Sequence, residues 1–372
     1  MRKKRSRKKK LGVISNLVLL ANLIAILALF GSYGASKIDP QTFWPLALLG
    51  LGYLPILVVN LCFMAYWLLR KPRYIVLSLA AILLGIPSLK KHFGLGIQSS
   101  DIPQKKETDL RVMSYNVHLF ESIERGNKEG IHQGVLDIVN QVDPDILCMQ
   151  EFYSHFKGDN AFINTMRKTG NFEDFYFAPA FQNKEQGYGQ AIYSKYPIVA
   201  SGSVSQHDFG INRIVYVDLK REQDTLRVYN VHLRSFTLES EDKEFIQNLS
   251  SHISQKEYET RRLGRKLMQA FKHRSQQAQS FKKHIESSPY PVLVLGDFND
   301  TPMSYSVNTV GSNLRNAFQE KGKGWGVTHF DMVPILQIDY ILTDPVFSID
   351  NFQIIHKKLS DHYPIWADLG LH

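Results

Sequence analysis

The chain is 372 residues long and 44% hydrophobic, enough to bury a core larger than that of one minimal domain. Its formal net charge is +9, but residues 1–10 contribute +8 and residues 11–100 contribute +5, which leaves −4 for residues 101–372. The larger part is therefore mildly acidic, and its overall field would repel a polyanion such as DNA. The two cysteines, Cys62 and Cys148, give no disulfide framework.

Three long apolar segments precede residue 100, at 11–33, 44–69 and 74–89. A helix needs about 20 apolar residues to cross a bilayer, so these segments predict about three transmembrane helices. The third is the shortest, and Pro87 interrupts its end. A cleavable signal peptide is the alternative for the first segment, because a basic leader over residues 2–10 precedes it. That alternative is disfavoured because the apolar stretch is too long and two more follow.

Basic residues flank the apolar segments unevenly. They fill residues 2–10, and Arg70, Lys71 and Arg73 lie in the second connection, whereas the first connection carries only Lys37. Because basic loops stay cytoplasmic, three crossings predict a multi-pass protein of the inner (cytoplasmic) membrane with the remaining residues outside the cytoplasm. If the third segment only lies in the interface, those residues stay in the cytosol.

Beyond the apolar segments the pattern changes to that of a layered α/β domain. The polar residues 98–108 predict a linker, and residues 109–372 then alternate short β-rich runs with amphipathic stretches. The predicted strands are 110–117, 146–150, 190–193, 214–219, 225–233, 292–295 and 338–342. The predicted helices are 130–141 and about 241–286.

Polar side chains recur where the predicted strands end, and catalytic groups favour such places. They are Asn116, Glu151, Asn230, His232, Asp297, Asn299, Asp300, Asp339, Asp361 and His362. Taken singly, each has an ordinary structural explanation. Asp297 can belong to a strand-ending turn, His232 can be a buried histidine, and Asp361 can cap a turn before Pro364. Their occurrence together, in this order, favours a functional site.

Seven sequence blocks carry most of these residues: SYNV at 114–117, QE at 150–151, AIYSKYPI at 191–198, NVHL at 230–233, GDFND at 296–300, IDYI at 338–341 and SDHYP at 360–364. In content and order they resemble the signatures of the endonuclease/exonuclease/phosphatase family, the deoxyribonuclease I-like metal-dependent phosphoesterases. The resemblance covers nearly all of residues 109–370. It implies a four-layered α/β/β/α sandwich of two mixed sheets and a phosphoester hydrolase. Residues 1–97 are not part of it.

The chemistry of phosphoester hydrolysis asks for the same residue types. A hydrolase must offset the charge on the phosphoryl oxygens and deprotonate a water in line with the leaving oxygen. Carboxylate and amide oxygens are the natural ligands of a hard divalent cation. We therefore expect Glu151, Asn116 and Asp361 to hold Mg²⁺, or Mn²⁺ as the alternative. Asp297 and Asn299 can complete the shell directly or through water.

The resemblance also implies roles for the catalytic residues. Asp297 matches an aspartate that positions or deprotonates the nucleophilic water, and Asn299 matches an asparagine that helps to hold the phosphate. Asp339 matches a carboxylate that hydrogen-bonds the histidine matching His362. His232 matches a second histidine at the phosphate. Which of Asp297, His232 and His362 moves the proton stays open at this point.

The substrate is less well defined by the sequence. The resemblance implies that Arg213 and Asn230 bind the substrate. The inositol phosphatase branch has a cysteine and an arginine around the position where this chain has Gln337 and Tyr340, which disfavours that branch. The net charge of −4 over residues 101–372 does not favour a DNA-binding face.

A long predicted helix between NVHL and GDFND is basic and amphipathic. Its cations are Lys256, Arg261, Arg262, Arg265, Lys266, Lys272, Arg274, Lys282 and Lys283, beside the apolar Leu263, Leu267, Met268 and Phe271. It either is a solvated face that covers the sheet or rests on anionic membrane lipid. The second interpretation favours a lipid or envelope phosphoester as substrate. A membrane-tethered endo- or exonuclease and a non-catalytic membrane-binding module are the alternatives, and no protein partner is inferred.

Overall fold

The computed structural model describes residues 11–96, 102–121, 128–158, 161–204, 210–236, 256–331 and 336–371. Within these residues the chain has an N-terminal part made of apolar helices and an α/β domain that begins at residue 109.

The N-terminal part contains α1 (Val13–Ala35), α2 (Pro40–Phe43), α3 (Pro45–Leu51), α4 (Tyr53–Arg70), α5 (Ile75–Leu84) and α6 (Ile86–Leu89), with a 3₁₀ turn over Pro72–Tyr74. Among the described residues, α1 and α4 are long and apolar enough to cross a membrane. The prediction of a third continuous helix over 74–89 is wrong, because the segment breaks at Gly85 and α5 has only 10 residues. At 1.5 Å per residue, α5 is about 15 Å long, roughly half the hydrocarbon thickness. The second predicted segment likewise breaks at Gly52, into α3 and α4.

A buried hydrogen-bond network ties α1, α4 and α5 together. Asn22 of α1 donates to Ser78 of α5 (2.7 Å) and accepts from the indole N–H of Trp67 in α4 (2.9 Å). Ser78 in turn donates to Asn60 of α4 (3.1 Å). All four side chains are buried, and polar contacts of this kind hold helices in register where the surroundings offer no other partner. The three helices therefore form one helical unit, although α5 is short, and α3 belongs to it because it packs against α1, with Leu49 beside Gly31.

This helical unit has two distinct ends. At one end, Tyr33 of α1 donates to a carbonyl of α5 (3.1 Å), and Tyr53 of α4 packs on His92, with ring centroids 4.8 Å apart. At the other end, Trp67 packs on Tyr74, also at 4.8 Å. The chain enters the α/β domain from the first end. The basic connection between α4 and α5 lies at the second end, away from that domain.

The α/β domain contains two six-stranded mixed sheets within the described residues. The strands of the chain are β1 (Phe93–Leu95), β2 (Asp109–Asn116), β3 (Ile146–His155), β4 (Asp174–Gln182), β5 (Gln186–Ser194), β6 (Ile198–Ser203), β7 (Ile214–Arg221), β8 (Asp224–His232), β9 (Val292–Asp297), β10 (Arg315–Asn316), β11 (Lys323–Trp325), β12 (Asp339–Thr343), β13 (Phe347–Ile354) and β14 (Ile365–Leu371). The helices are α7 (Lys128–Val142), α8 (Phe162–Thr169), α9 (Lys256–Glu286), α10 (Tyr305–Val310) and α11 (Ala317–Lys321). The sheet orders are β13-β14-β2-β3-β5-β4 and β10-β12-β9-β8-β7-β6, in which β2–β3 and β8–β9 pair in parallel.

The central strands are apolar on both faces because each sheet lies between two layers. In β2, Val112 points into the core between the sheets, whereas Met113 points into a core shared with α7 and α8. In β9, Leu293 points into the same inter-sheet core, whereas Val294 packs with Phe281 of α9. Successive side chains along one strand thus pack alternately into two different cores. The predicted four-layered α/β/β/α sandwich is confirmed.

A small antiparallel ribbon and several polar contacts join the helices to the α/β domain. β1 follows α6 and pairs with β11, where Phe93 lies opposite Trp325 with ring centroids 5.2 Å apart. The side chain of Asp39, between α1 and α2, accepts hydrogen bonds from Ser275 (2.5 Å) and Gln279 (2.6 Å) of α9. The helical unit is therefore docked on the domain before the chain reaches the predicted linker.

Four edge strands of the sandwich were not among the predicted elements. They are β4, β6, β10 and β13, and each lies at the edge of its sheet. Edge strands are exposed on more sides and carry weaker apolar patterns, and β4 even contains Pro179. The long helix α9 begins at Lys256, so the predicted helical residues 241–255 lie outside the described part of the chain.

Candidate active site

The strand pairings bring polar side chains to one edge of the sandwich. Asn116 ends β2 beside the parallel strand β3, which carries Glu151. In the other sheet, Asp297 at the end of β9 lies opposite His232 of β8 and opposite Asp339 of β12. The two sheets face each other, so five polar residues from sequence-distant segments meet between their ends.

Glu151 owes its orientation to an irregularity in β3. The pairing of β3 with β5 shifts register between Met149 and Phe152, and Glu151 has a left-handed backbone with φ +51°. A β-bulge of this kind re-aims a side chain, and a left-handed backbone is costly for a residue other than glycine. The Glu151 side chain consequently lies 3.5 Å from the Asn116 amide nitrogen and 3.6 Å from His232 Nε2.

Asp297 sits in a tight turn at the end of β9. A Cβ at Gly296, whose φ is +141°, would lie 2.1 Å from the carbonyl oxygen of Val231 in β8, so the neighbouring strand leaves room only for glycine. Asp297 Oδ1 accepts from the backbone N–H of Asn299 (2.7 Å). Its Oδ2 accepts from the side-chain amides of Asn116 (3.1 Å) and Asn299 (3.2 Å). Asn299 is itself left-handed, with φ +51°, which fixes the turn.

His362 and Asp339 form a buried pair next to Asp297. The His362 Nδ1 lies 2.9 Å from Asp339 Oδ2, which leaves Nε2 facing Asp297 Oδ2 at 3.7 Å. Burial opposes protonation of His362, but the charges of Asp339 and Asp297 outweigh it and raise the pKa of His362 well above its usual range. Burial also raises the pKa of Asp297, and Asp339 adds to the shift. His362 and Asp297 therefore keep their protons to higher pH than the free side chains do.

His232 occupies the position between the two sheets. Its Nε2 lies 3.6 Å from Glu151 Oε1, 3.8 Å from Asp297 Oδ2 and 3.4 Å from the amide of Asn212. Its Nδ1 is buried and has no hydrogen-bond partner among the described residues. The sequence alone is compatible with a merely structural histidine here, but the ring lies against two carboxylates.

Two histidines that the sequence analysis did not single out flank Asp361. His118 Nδ1 lies 3.6 Å from Asp361 Oδ2 and 3.5 Å from Glu151 Oε2, and His329 Nε2 lies 3.7 Å from the same Asp361 oxygen. Burial opposes ionisation of Glu151, but the imidazoles of His118 and His232 outweigh it and lower its pKa to about 2. Burial likewise opposes ionisation of Asp361, and the nearby imidazoles lower its pKa below the usual range. The adjacent Glu151 carboxylate raises the pKa of His118.

The two histidines differ in whether the sequence alone could have identified them as site residues. His118 follows Asn116 by two residues inside an apolar strand-ending block, so inspection of that block could have found it. His329 lies outside every predicted element and reaches the site through isolated backbone pairing with Leu336 and His362. Only the tertiary fold brings it there.

The donor groups of the cluster fit a divalent cation. Glu151 and Asp361 are partly accessible carboxylates whose lowered pKa values favour the ionised form, and both lie next to His118. Two further groupings, His329 with Asp361 and His362, and Asp297 with Asp339 and His362, hold donor atoms within 4.8 Å of one another. The Asn116 Oδ1 accepts from the backbone N–H of His118 (3.1 Å), so ligation through that oxygen requires rotation of the amide.

The structure corrects the assignment of Asn230 to substrate binding. This residue is fully buried, and its side chain joins the two sheets. It donates to the carbonyls of Met149 (2.9 Å) and Ala191 (3.0 Å) and accepts from Gln150 (2.7 Å). With its amide engaged on every side, it holds the strands that carry the site and has no group left for a ligand.

Arg213 lies next to the site along the backbone, since its carbonyl accepts from the N–H of His232 (3.0 Å). Its guanidinium donates to the carbonyls of Gly210 (3.0 Å) and Pro179 (3.3 Å) instead of pointing at the carboxylates. A role for Arg213 in substrate binding stays a prediction.

The basic helix predicted between NVHL and GDFND also needs one correction. Arg274 of α9 is fully buried rather than part of a cationic surface. It donates to the Asp300 carboxylate (2.9 Å) and to the carbonyl of Arg234 (2.8 Å). It therefore holds the turn that follows Asp297.

A sandwich with carboxylates and imidazoles gathered at the ends of both sheets is typical of phosphoester hydrolases. Residues 113–362 match the endonuclease/exonuclease/phosphatase family, and the chain belongs to that family, whose members hydrolyse phosphoesters. Residues 15–92 match a separate domain of unknown function. No curated protein sequence matches the chain.

Several solved structures resemble this chain at low sequence identity. The endonuclease/exonuclease/phosphatase from Bacteroides vulgatus is 18% identical, with 72% of this chain and 100% of that chain covered and a TM-score of 0.52. A D. rerio TDP2 structure with a single-strand DNA product is 14% identical, with 71% and 99% covered and a TM-score of 0.49. The human Nocturnin catalytic domain with bound sulfate is 15% identical, with 72% and 97% covered and a TM-score of 0.49.

Proposed function

We propose that this chain is a membrane-anchored phosphoester hydrolase that uses Mg²⁺, or Mn²⁺ in its place, and acts on lipid or envelope phosphoesters at the membrane surface. The observation that carries the catalytic part is the environment of Asp297. Its Oδ2 lies 3.1 Å from the Asn116 amide, 3.7 Å from His362 and 3.8 Å from His232, at the edge where Glu151 enters from the other sheet.

The proposed mechanism divides the work among these side chains. Glu151 and Asp361 would hold the divalent cation, which would supply positive charge at the phosphoryl oxygens. Asp297 accepts a proton from water, and the hydroxide so formed attacks phosphorus while the bond to the leaving oxygen breaks. His362, kept protonated by Asp339, donates a hydrogen bond to a phosphoryl oxygen or a proton to the leaving oxygen.

Membrane anchoring is supported by the helical unit. α1 and α4 have the length and hydropathy of membrane-spanning helices, and the buried polar network holds α5 against them. The basic connection between α4 and α5 lies at the end away from the α/β domain. With that end in the cytoplasm, the α/β domain lies outside it. A reporter that is active only outside the cytoplasm, fused to the last residue, should be active, and a silent reporter would favour the cytosol.

A membrane-surface substrate is supported by the ribbon of β1 and β11. Phe93, Leu95, Lys323 and Trp325 share one face of this ribbon, because they occupy paired and alternating positions. Leu95 is 79% exposed and Trp325 50% exposed. Tryptophan next to apolar and basic residues is typical of the membrane interface. From β11 the chain runs within four residues to His329 in the site.

The full-length protein in vesicles that contain phosphatidylglycerol and phosphatidylethanolamine provides the test. We expect release of phosphorylated headgroups that stops with EDTA and returns with Mg²⁺ or Mn²⁺, and little nicking of plasmid DNA in parallel. Glu151→Gln should abolish the release, whereas Glu320→Gln, a change in a surface ion pair with Arg315, should leave it intact. Intact vesicles together with nicked DNA would instead establish a nuclease.

A further inference from the structure

The loop that follows Asp297 is anchored in the N-terminal helices. Residues 298–304, the catalytic loop, connect β9 to α10 and carry Asn299. Met303 in this loop is fully buried, and it belongs to the apolar cluster of the helices, with Leu29 of α1 and Tyr53 and Leu57 of α4, rather than to the cores of the sandwich. A side chain of the α/β domain thus completes the core of the helical unit.

The α/β domain holds the other side of the catalytic loop. The Asp300 carboxylate accepts from Arg274 (2.9 Å) and from the Ser306 hydroxyl (2.6 Å), and its carbonyl accepts from the Tyr340 hydroxyl (2.9 Å). These contacts fix the loop at Asp300 against α9, α10 and β12. Between Asp300 and α10, the apolar anchor is Met303.

The helices approach the catalytic loop closely at its backbone as well. A Cβ at Gly50 of α3 would lie 2.7 Å from the Ala35 Cβ and 3.2 Å from the carbonyl oxygen of Met303. α3 is thus packed between α1 and the loop with no spare space. A helix backbone on one side and a short loop on the other cannot move independently.

Polar contacts reinforce the same junction from two directions. Lys91, just after α6, donates to Asn308, whose amide donates to the loop carbonyls of Pro302 (2.9 Å) and Ser304 (2.6 Å). Asp39 accepts from Ser275 of α9, the residue that follows Arg274 in sequence. Both contacts lead from the helices to the residues that surround the catalytic loop.

We propose that the helical unit, whose residues match a domain of unknown function, is a working part of the active site: it holds the catalytic loop through Met303 and so positions Asp297 and Asn299. Met303 is a positioning residue. Only three residues separate it from Asn299, and a misplacement of about 1 Å can lower turnover by roughly 100-fold. The effect on turnover rests on the proposed function, whereas the effect on the loop does not.

A matched pair of glycine variants in the full-length protein tests the proposal. Gly50→Val pushes on the carbonyl of Met303, whereas Gly31→Val, in the same helical unit, meets only the flexible Leu49 and Leu46 side chains. We expect Gly50→Val, and not Gly31→Val, to accelerate hydrogen exchange in peptides that cover residues 298–304. Turnover should fall about tenfold or more in Gly50→Val with KM nearly unchanged. Equal exchange in the two variants would overturn the proposal.

Variants of Met303 keep the test decisive if Gly50→Val does not fold. Met303→Ala leaves the loop without its anchor, Met303→Leu restores the apolar volume, and Val310→Ala removes a similarly buried side chain from the sandwich side of α10. We expect faster loop exchange in Met303→Ala, near-normal exchange in Met303→Leu, and no loop-specific change in Val310→Ala. Unchanged exchange in Met303→Ala would refute the positioning role. Absence of turnover in the unsubstituted protein would refute the proposed function and leave the exchange result valid.

Discussion

The carboxylates in the two halves of the active site differ in solvent exposure and in the direction in which their pKa values are shifted. Glu151 and Asp361, the outer carboxylates, keep side-chain exposures of 17% and 16%, and nearby imidazoles lower their pKa values. Asp297 and Asp339, the inner carboxylates, are 1% and 3% exposed, and burial raises the pKa of Asp297. The outer pair suits a cation that arrives from solvent, and the inner pair suits proton transfer.

The two halves also differ in the structural elements that hold their side chains in position. The outer side depends on a strained bulge at Glu151 and on loops that carry His118 and His329. The inner side depends on strand pairing and on the catalytic loop, which the helices hold through Met303. Changes to the outer half should therefore act first on cation binding, and changes to the inner half on turnover and its pH dependence.

The largest effect is expected from Glu151→Gln. The variant keeps the shape of the side chain but removes the charge that a cation needs, so Mg²⁺ or Mn²⁺ affinity should fall by about 100-fold or more, and turnover roughly 1000-fold. Calorimetry measures the first and a phosphoester assay the second. If the affinity is unchanged, Glu151 is not a ligand and the division between the two halves is wrong.

Asp297→Asn should distinguish most clearly between an effect on turnover and an effect on cation affinity. It removes the proposed base but keeps an oxygen that can accept from the backbone N–H of Asn299, so turnover should fall roughly 100-fold while cation affinity changes by no more than about threefold. The same calorimetric and kinetic measurements apply. A cation affinity as low as that of Glu151→Gln would place Asp297 among the ligands and merge the two halves.

Asp339→Asn should change the pH dependence. Asp339 is the largest favourable influence on the protonated state of His362, which burial opposes, so its removal lowers the raised pKa of His362. Activity that needs the imidazolium is present below that pKa and is lost as pH rises through it, so the alkaline limb of the rate profile should move to lower pH. We expect about a tenfold loss at neutral pH. An alkaline limb that stays in place would exclude His362 as its source.

The smallest effect is expected from His118→Gln. The pKa of His118 is raised by Glu151, so its protonated form persists to higher pH and competes with a cation for Glu151 and Asp361. Removing this competitor should increase Mn²⁺ affinity about threefold at mildly acidic pH and leave it unchanged at alkaline pH. Weaker binding at every pH would instead make His118 a ligand.

Most of the architecture could be predicted because apolar strands and the polar residues that end them are local signals. Asn116, Glu151, Asp297, Asp339 and His362 could each be read from a strand and its end, and the structure places all of them at one edge. The family match over residues 113–362 supports the predicted family, and the roles of these five residues stay a proposal.

What could not be predicted depends on contacts between distant segments. Asn230 looked like a site residue, but it lies between the sheets and its hydrogen bonds close onto β3 and β5. Arg274 looked like a surface cation, but Asp300 draws it into the core. His329 carries no local signal, and the docking of Met303 into the helices joins two parts of the chain that sequence patterns treat separately.

The ribbon of β1 and β11 has a consequence for biosynthesis. Phe93 pairs with Trp325, so the sandwich strands β2 to β10 are translated between the two strands that close the ribbon. β1 therefore emerges from the ribosome long before its partner and waits as an unpaired edge that bears the exposed Leu95. Closure of the ribbon is thereby a late step of maturation, and the fold can be completed only after the N-terminal helices have been synthesised.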